Sequence, residues 1–194
     1  HQMGVILAAT DALNWYARLV GADAASLTGD LGPLQAPGKT LFLPYLGGER
    51  TPLNSASVRG AFTGLEHATD RAAATRAVLE GVTYAIRDSR DALAATGTRI
   101  TQLLAVGGGS RSDYWLRLIA TALEVPVLLP VAGDFGGAFG AARLALMAAT
   151  GAGAEIATLP KIARTIDPDA SLTAALDAGH ARFRLAQTAI KDLP

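Results

Sequence analysis

The residues best suited to chemistry run Leu103-Leu104-Ala105-Val106-Gly107-Gly108-Gly109-Ser110-Arg111-Ser112-Asp113-Tyr114-Trp115. An apolar strand enters three consecutive glycines, and a helix start follows. Three glycines in a row suit a crowded turn, and a turn before a helix presents free backbone N–H groups to an anion or a ribose. The P-loop pattern is absent as a whole. The dinucleotide fingerprint is incomplete, because Gly107 and Gly109 fit its first two glycines but Ser112 takes the third place. The residues themselves thus leave two readings open: a nucleotide-binding turn, or a structural strand exit.

Other candidates are weaker. Asp134-Phe135-Gly136-Gly137-Ala138-Phe139-Gly140 is a second glycine-rich helix start. It reads as a packing turn with Asp134 as cap, or as the other wall of the same pocket. Pro44 to Pro52 carries Tyr45, Glu49 and Arg50 between glycines, which suits a substrate-holding loop, a hinge or a solvated ion pair. Arg59 and His67 read as surface groups. No serine has a nucleophile-elbow context, and a lone Asp134 makes no metal site. No complete catalytic constellation can be assembled.

The elements that must hold these groups alternate between strand and helix. Residues 3–20 read as a short strand or helix start and then a helix around Leu13, Trp15, Tyr16 and Leu19, ended by Gly21, and residues 21–40 read as mostly loop. Leu41–Leu43 and residues 60–65 read as short strands. Thr69 is expected to cap a long helix ending near Gly97, with Ala77, Val78, Val82, Ala85, Ile86 and Leu93 as its apolar stripe. Arg76 with Glu80, and Arg87 with Asp91, are spaced as i,i+4 pairs on its wetter side. A strand over 100–106 leads to the glycine turn, and Ser112 caps a helix to about Leu123, with Trp115, Leu116, Ile119 and Ala120 facing the core. A strand over 126–130 and a third helix follow. The small Ala141, Ala142, Ala145 and Ala149 of that helix suit close approach to a neighbour, or simple helix propensity. Residues 165–168 read as a linker and 172–185 as a terminal helix. The pattern over 60–150 predicts an α/β layer.

The 194 residues are half apolar, so a sizeable core is available. Net charge is zero with no long basic run, which argues against nucleic acid and anionic membrane as partners. No cysteine is present, so disulfides and thiolate metal sites are excluded and a cytoplasmic home is allowed. Histidines 1, 67 and 180 match no zinc spacing. No apolar run is long enough to span a bilayer. His1-Gln2-Met3-Gly4-Val5 reads as a tag remnant or an internal stretch of a longer chain.

Taken in order, several segments resemble the second domain of the FGGY carbohydrate kinases, nearest their pentulokinase members. They are Phe42-Leu43-Pro44-Tyr45-Leu46-Gly47-Gly48-Glu49-Arg50-Thr51-Pro52, Arg59-Gly60-Ala61-Phe62-Thr63-Gly64-Leu65, Arg76-Ala77-Val78-Leu79-Glu80-Gly81-Val82, Gly107 to Trp115, and Asp134 to Ala145. One departure is Ala73-Ala74, where the family prefers a polar and then a large apolar residue.

The resemblance implies an α/β, ribonuclease-H-like (actin-like ATPase) domain over 1–160, truncated at its N-terminal edge, with a linker and C-terminal helix over 161–194. It implies ATP and Mg²⁺ as cofactors, the magnesium held mainly by the nucleotide and an absent N-terminal kinase domain. That absent domain would supply the sugar pocket and the catalytic aspartate, so this chain alone is expected to be inactive. The parent would phosphorylate the 5-hydroxyl of D-xylulose. Alternatives are a sister kinase for another ketose or polyol, and a non-catalytic nucleotide-binding module. A Rossmann-type NAD module is a weaker option, opposed by Ser112.

By the same match Gly107, Gly108 and Gly109 would line the nucleotide, with Ser110, Asp113 and Tyr114 near ribose or adenine. Gly136 and Gly137 would form the opposite wall, and the Glu49–Arg50 loop would face an interdomain cleft. Truncation would expose a sheet edge and an apolar face, so a homodimer or marginal stability is expected.

Overall fold

The computed structural model describes residues 1–131 and 136–190. Asp134 and Phe135 therefore lie outside the described residues.

The fold is built around one long helix, α3 (Arg71–Ala94), whose residues 77–85 are buried without interruption. A helix buried on all faces needs neighbours on all sides, and α3 has them. α1 (Thr10–Leu19), α4 (Asp113–Leu123) and α6 (Thr173–Ile190) pack round it. So does the first sheet, an antiparallel pair of β1 (Leu41–Leu43) and β2 (Ala61–Thr63) with Phe42 opposite Phe62. β1 crosses α3 at Gly81, where an added Cβ would sit 2.0 Å from the Phe42 carbonyl oxygen. Only glycine permits that approach. Trp15 stacks on Phe42 with ring centres 5.7 Å apart, and Phe42 meets Phe62 at 4.6 Å.

A second sheet orders β3 (Leu103–Leu104), β4 (Val127–Pro130) and β5 (Ile162–Ile166), with β3 parallel to β4 and β5 antiparallel to it. Leu116, Ala120, Val127 and Ile166 form a small core between α4 and this sheet. The fold is α/β with a mixed sheet and helices against it, as expected.

Several local expectations change. Residues 21–40 include a short helix, α2 (Ala24–Gly29), capped by Asp23, whose carboxylate accepts from the Ser26 amide at 2.9 Å. The cap of α3 is Asp70, accepting from the Ala73 amide at 2.7 Å, while the Thr69 hydroxyl accepts from the Glu66 amide. The strand over 100–106 shrinks to Leu103–Leu104. Residues 165–168, read as a linker, contain the end of β5, because the backbone groups of 162–166 pair with β4.

Neither expected ion pair on α3 forms a wet face. Glu80 is 2% exposed because α3 is enclosed there. Arg87 instead pairs with Asp177 of α6 at 2.6 Å, and Asp91 with Arg90.

The third helix, α5 (Gly137–Thr150), has no buried residue among those described, so its alanines serve propensity rather than close packing. Leu144 and Leu146 are exposed on it, and Leu104, Val106 and Leu159 are exposed elsewhere.

Candidate nucleotide-binding cavity

Beyond β3 the Ala105 amide still bonds to the Leu128 carbonyl at 2.9 Å, so the strand direction persists to the turn. Gly107 then adopts φ +85°, a left-handed conformation that side chains disfavour. A 3₁₀ turn over Gly108–Arg111 follows, and Ser112 caps α4, its hydroxyl accepting from the Trp115 amide at 3.3 Å. The Trp115 indole is anchored below, donating to the Thr83 hydroxyl of α3 at 3.1 Å. The turn therefore rests on the central helix.

Gly109 is a tight fit. A Cβ there would lie 3.1 Å from the Thr10 hydroxyl and 3.3 Å from the Trp115 ring. On one side of it is a cavity of about 580 Å³, lined by Gly108, Gly109, Arg111, Asp113 and Tyr114, by Thr10 and Asn14 of α1, and by Ala24 and Thr28 of α2. On the other side is a smaller, mainly apolar cavity of about 290 Å³ beneath residues 103–106. The larger one has room for a nucleoside with part of its phosphate chain.

Four of the eight expected site residues, Gly108, Gly109, Asp113 and Tyr114, line the larger cavity. Gly107 sets the turn but does not line it. Ser110 lines the smaller cavity, and its hydroxyl donates to the Gly107 carbonyl at 2.6 Å. Gly136 and Gly137 stand exposed at the start of α5 and line neither cavity.

Tyr114 is a wall rather than a free ligand. Its ring is buried, and burial, aided by the Glu80 charge, pushes its hydroxyl up to about 12. Asp113 carries the opposite perturbation. The Arg164 guanidinium of β5 donates to both its oxygens, Nη1 to Oδ2 at 3.0 Å and Nη2 to Oδ1, and holds the carboxyl below its usual range.

Sequence reasoning missed the far wall and this arginine. The Asp23–Ser26 spacing was a usable signal for α2. Arg164 lies 51 residues from Asp113, and nothing local marks it.

Two further groups have structural roles. Glu49 is 3% exposed and does not pair with Arg50. Its Oε1 accepts the Leu7 amide at 3.0 Å and the Arg50 amide at 2.7 Å, tying down the N-terminal segment, while burial raises its carboxyl. Asp88, Asp91 and His180 could converge on a cation. Both Asp88 oxygens and Oδ1 of Asp91 are already engaged. His180 Nε2 is 2.8 Å from Asp88, the Gln187 amide donates to Asp88 at 3.2 Å and to the Tyr45 hydroxyl at 2.7 Å, and Arg90 takes Asp91. With Arg184 4.0 Å from Asp88 as well, this is a buried clasp between α3 and α6. Among the described residues the larger cavity has one carboxylate, that of Asp113, so this chain offers no multi-carboxylate magnesium site there. No helix among the described residues is long and apolar enough to cross a membrane.

Comparison with known proteins agrees with this anatomy. The chain is 38% identical over 192 residues to the xylulose kinase of Escherichia coli, covering 95% of this chain and 39% of that protein. The crystal structure of a xyloylose (xylulose) kinase from Brucella ovis superposes with a TM-score of 0.93 at 58% identity, over 100% of this chain and 40% of that one. That of a Rhodospirillum rubrum xylulose kinase gives 0.81 at 29% identity, over 97% of this chain and 39% of that one. The chain thus spans about two fifths of the relatives' length. Residues 2–149 match the C-terminal domain of the FGGY family of carbohydrate kinases, and the chain belongs to that family.

Proposed function

We propose that this chain is the nucleotide-binding part of an ATP-dependent sugar kinase that phosphorylates the 5-hydroxyl of D-xylulose. The observation that carries the proposal is the cavity of about 580 Å³ between the glycine turn at the start of α4 and the walls formed by α1 and α2. Gly108 and Gly109 bring bare backbone to its edge, and the α4 N-terminus favours negative charge. Leu13, Ala24 and Ala25 give it an apolar side suited to a base. The names of the relatives supply the sugar.

In this reading Gly107 shapes the turn, Gly108 and Gly109 line the nucleotide, and Asp113 meets the ribose. Ser110 steadies the turn from below. Gly136 and Gly137 approach from the opposite wall once the rest of the protein is in place. ATP brings the transferable phosphate and Mg²⁺ offsets its charge. The metal is held mainly by the nucleotide and a separate N-terminal domain, which also supplies the sugar pocket and general base. The described segment is then part of a ribonuclease-H-like domain of a cytoplasmic enzyme. In isolation it is inactive and self-associates through its exposed apolar face.

The test is calorimetric titration of the full-length gene product with a non-hydrolysable ATP analogue, followed by a phosphorylation assay with D-xylulose. Micromolar binding, lost in Gly108→Val, together with turnover of D-xylulose, supports the proposal. Absence of binding overturns it, and turnover of another ketose or a polyol alone reassigns the sugar.

A further inference from the structure

We propose that Arg164 is a positioning residue for nucleotide choice: its fork fixes the Asp113 carboxylate so that the lone pairs left over accept the 2′- and 3′-hydroxyls of a ribose. The inference rests on the nucleotide reading above and adds to it a residue that the glycine motif does not contain.

Asp113 is the first residue of α4, but the capping task belongs to Ser112, so its carboxylate is not consumed in starting the helix. It lines the larger cavity and remains about half exposed. A carboxylate on a short side chain at such a mouth has two faults as a ribose ligand. It rotates, and its charge repels the phosphates of the same ligand.

Arg164 corrects both. Its two nitrogens bind the two carboxylate oxygens side by side, which fixes the plane of the group and neutralises it. A carboxylate has about four acceptor positions, and the fork occupies two of them. The remaining two are available to a diol. Exposed ion pairs contribute little to stability, so orientation is the main consequence of the pairing.

The sheet fixes where the guanidinium starts from. Arg164 stands opposite Leu129 in the β4–β5 ladder, and β4 pairs on its other edge with β3, which runs into the glycine turn. The turn and the arginine are therefore indexed to the same central strand. Arg117, one helical turn beyond Asp113, adds positive charge near the carboxylate. Arg111 adds another charge at the cavity.

The experiment compares ADP with 2′-deoxy-ADP by calorimetry on the full-length protein, without turnover. The wild type is expected to prefer ADP, and Arg164→Met to lose about tenfold of that preference, as sites built to hydrogen-bond a hydroxyl do when a partner is misplaced. Arg164→Lys keeps the charge without the fork and is expected to recover only part of it. Asp113→Asn is expected to lose the preference as Arg164→Met does, and the double variant to lose no more than either. Melting curves select the folded variants, and the lysine and asparagine variants carry the comparison if the methionine variant does not fold. A wild-type ratio near one, or an unchanged ratio in folded Arg164 variants that still bind ADP, overturns the role of Arg164 alone. A wild type that binds neither nucleotide removes the nucleotide reading itself.

Discussion

Glu80 is a carboxyl placed where a carboxylate is costly. Burial pushes it from an ordinary 4.5 up to about 7, against the partly compensating charges of Arg76 and Arg182. Its Oε2 has no hydrogen-bond partner. Between pH 4.5 and 7 the folded protein holds more protons here than the unfolded chain, so this group lowers stability as pH rises across that window. Glu80→Gln removes the ionisation while keeping the shape. Urea denaturation should show the variant more stable than wild type by on the order of 2 kcal/mol at pH 8, with little difference at pH 4.5. Gly109 is the second residue whose identity is set by space. Its Cβ would press on Thr10 and Trp115 together. Gly109→Val should move one or both into the cavity and weaken binding of an ATP analogue by about tenfold, read by titration.

At the scale of elements, α3 is held by one close crossing and one polar clasp. Gly81→Ala drives a methyl into the Phe42 carbonyl oxygen and should destabilise the protein by roughly 3 kcal/mol or more, read as a fall in the denaturation midpoint. Asp88→Ala strands His180 and Gln187 in the interior and should cost about 2–4 kcal/mol. Glu66→Ala, which breaks an exposed pair with Lys39, should cost under about 0.5 kcal/mol.

The elements also show what local sequence can carry. α1, α4, β1, β2 and β4 were legible because their glycines, prolines and apolar spacing are local, whereas β5 reads as a linker until β4 pairs with it. The turn at 107–109 was legible for the same reason, and four of the eight expected site residues line the cavity beside it. The enclosure of Glu80 was not, since its i,i+4 arginine suggests a wet face and only the arrival of distant segments dries it. The far cavity wall and Arg164 were hidden likewise, being brought to Asp113 by packing and by strand pairing. Nor did the alanines of α5 say that nothing among the described residues would bury them.

At the scale of the molecule, the apolar surface is unevenly distributed. Leu144 is 68% exposed and Leu159 89% exposed, with Leu104 and Val106 also open to water. Such surface favours association. The 194-residue chain should sediment as a concentration-dependent mixture, and Leu144→Glu with Leu159→Lys should shift it towards monomer without lowering its melting temperature.

The clamp at Glu49 has a mechanical consequence. Val5 and Thr51 exchange two bonds, Val5 N–H to the Thr51 hydroxyl at 3.0 Å and Thr51 N–H to the Val5 carbonyl at 2.9 Å, and the Leu7 amide is held by Glu49. The Thr51 carbonyl in turn accepts from Ser89 of α3. Tension applied at the first residue is therefore delivered through residues 49–51 to the middle of the molecule before it reaches α1. The cavity wall that α1 provides is shielded from that load until the clamp tears.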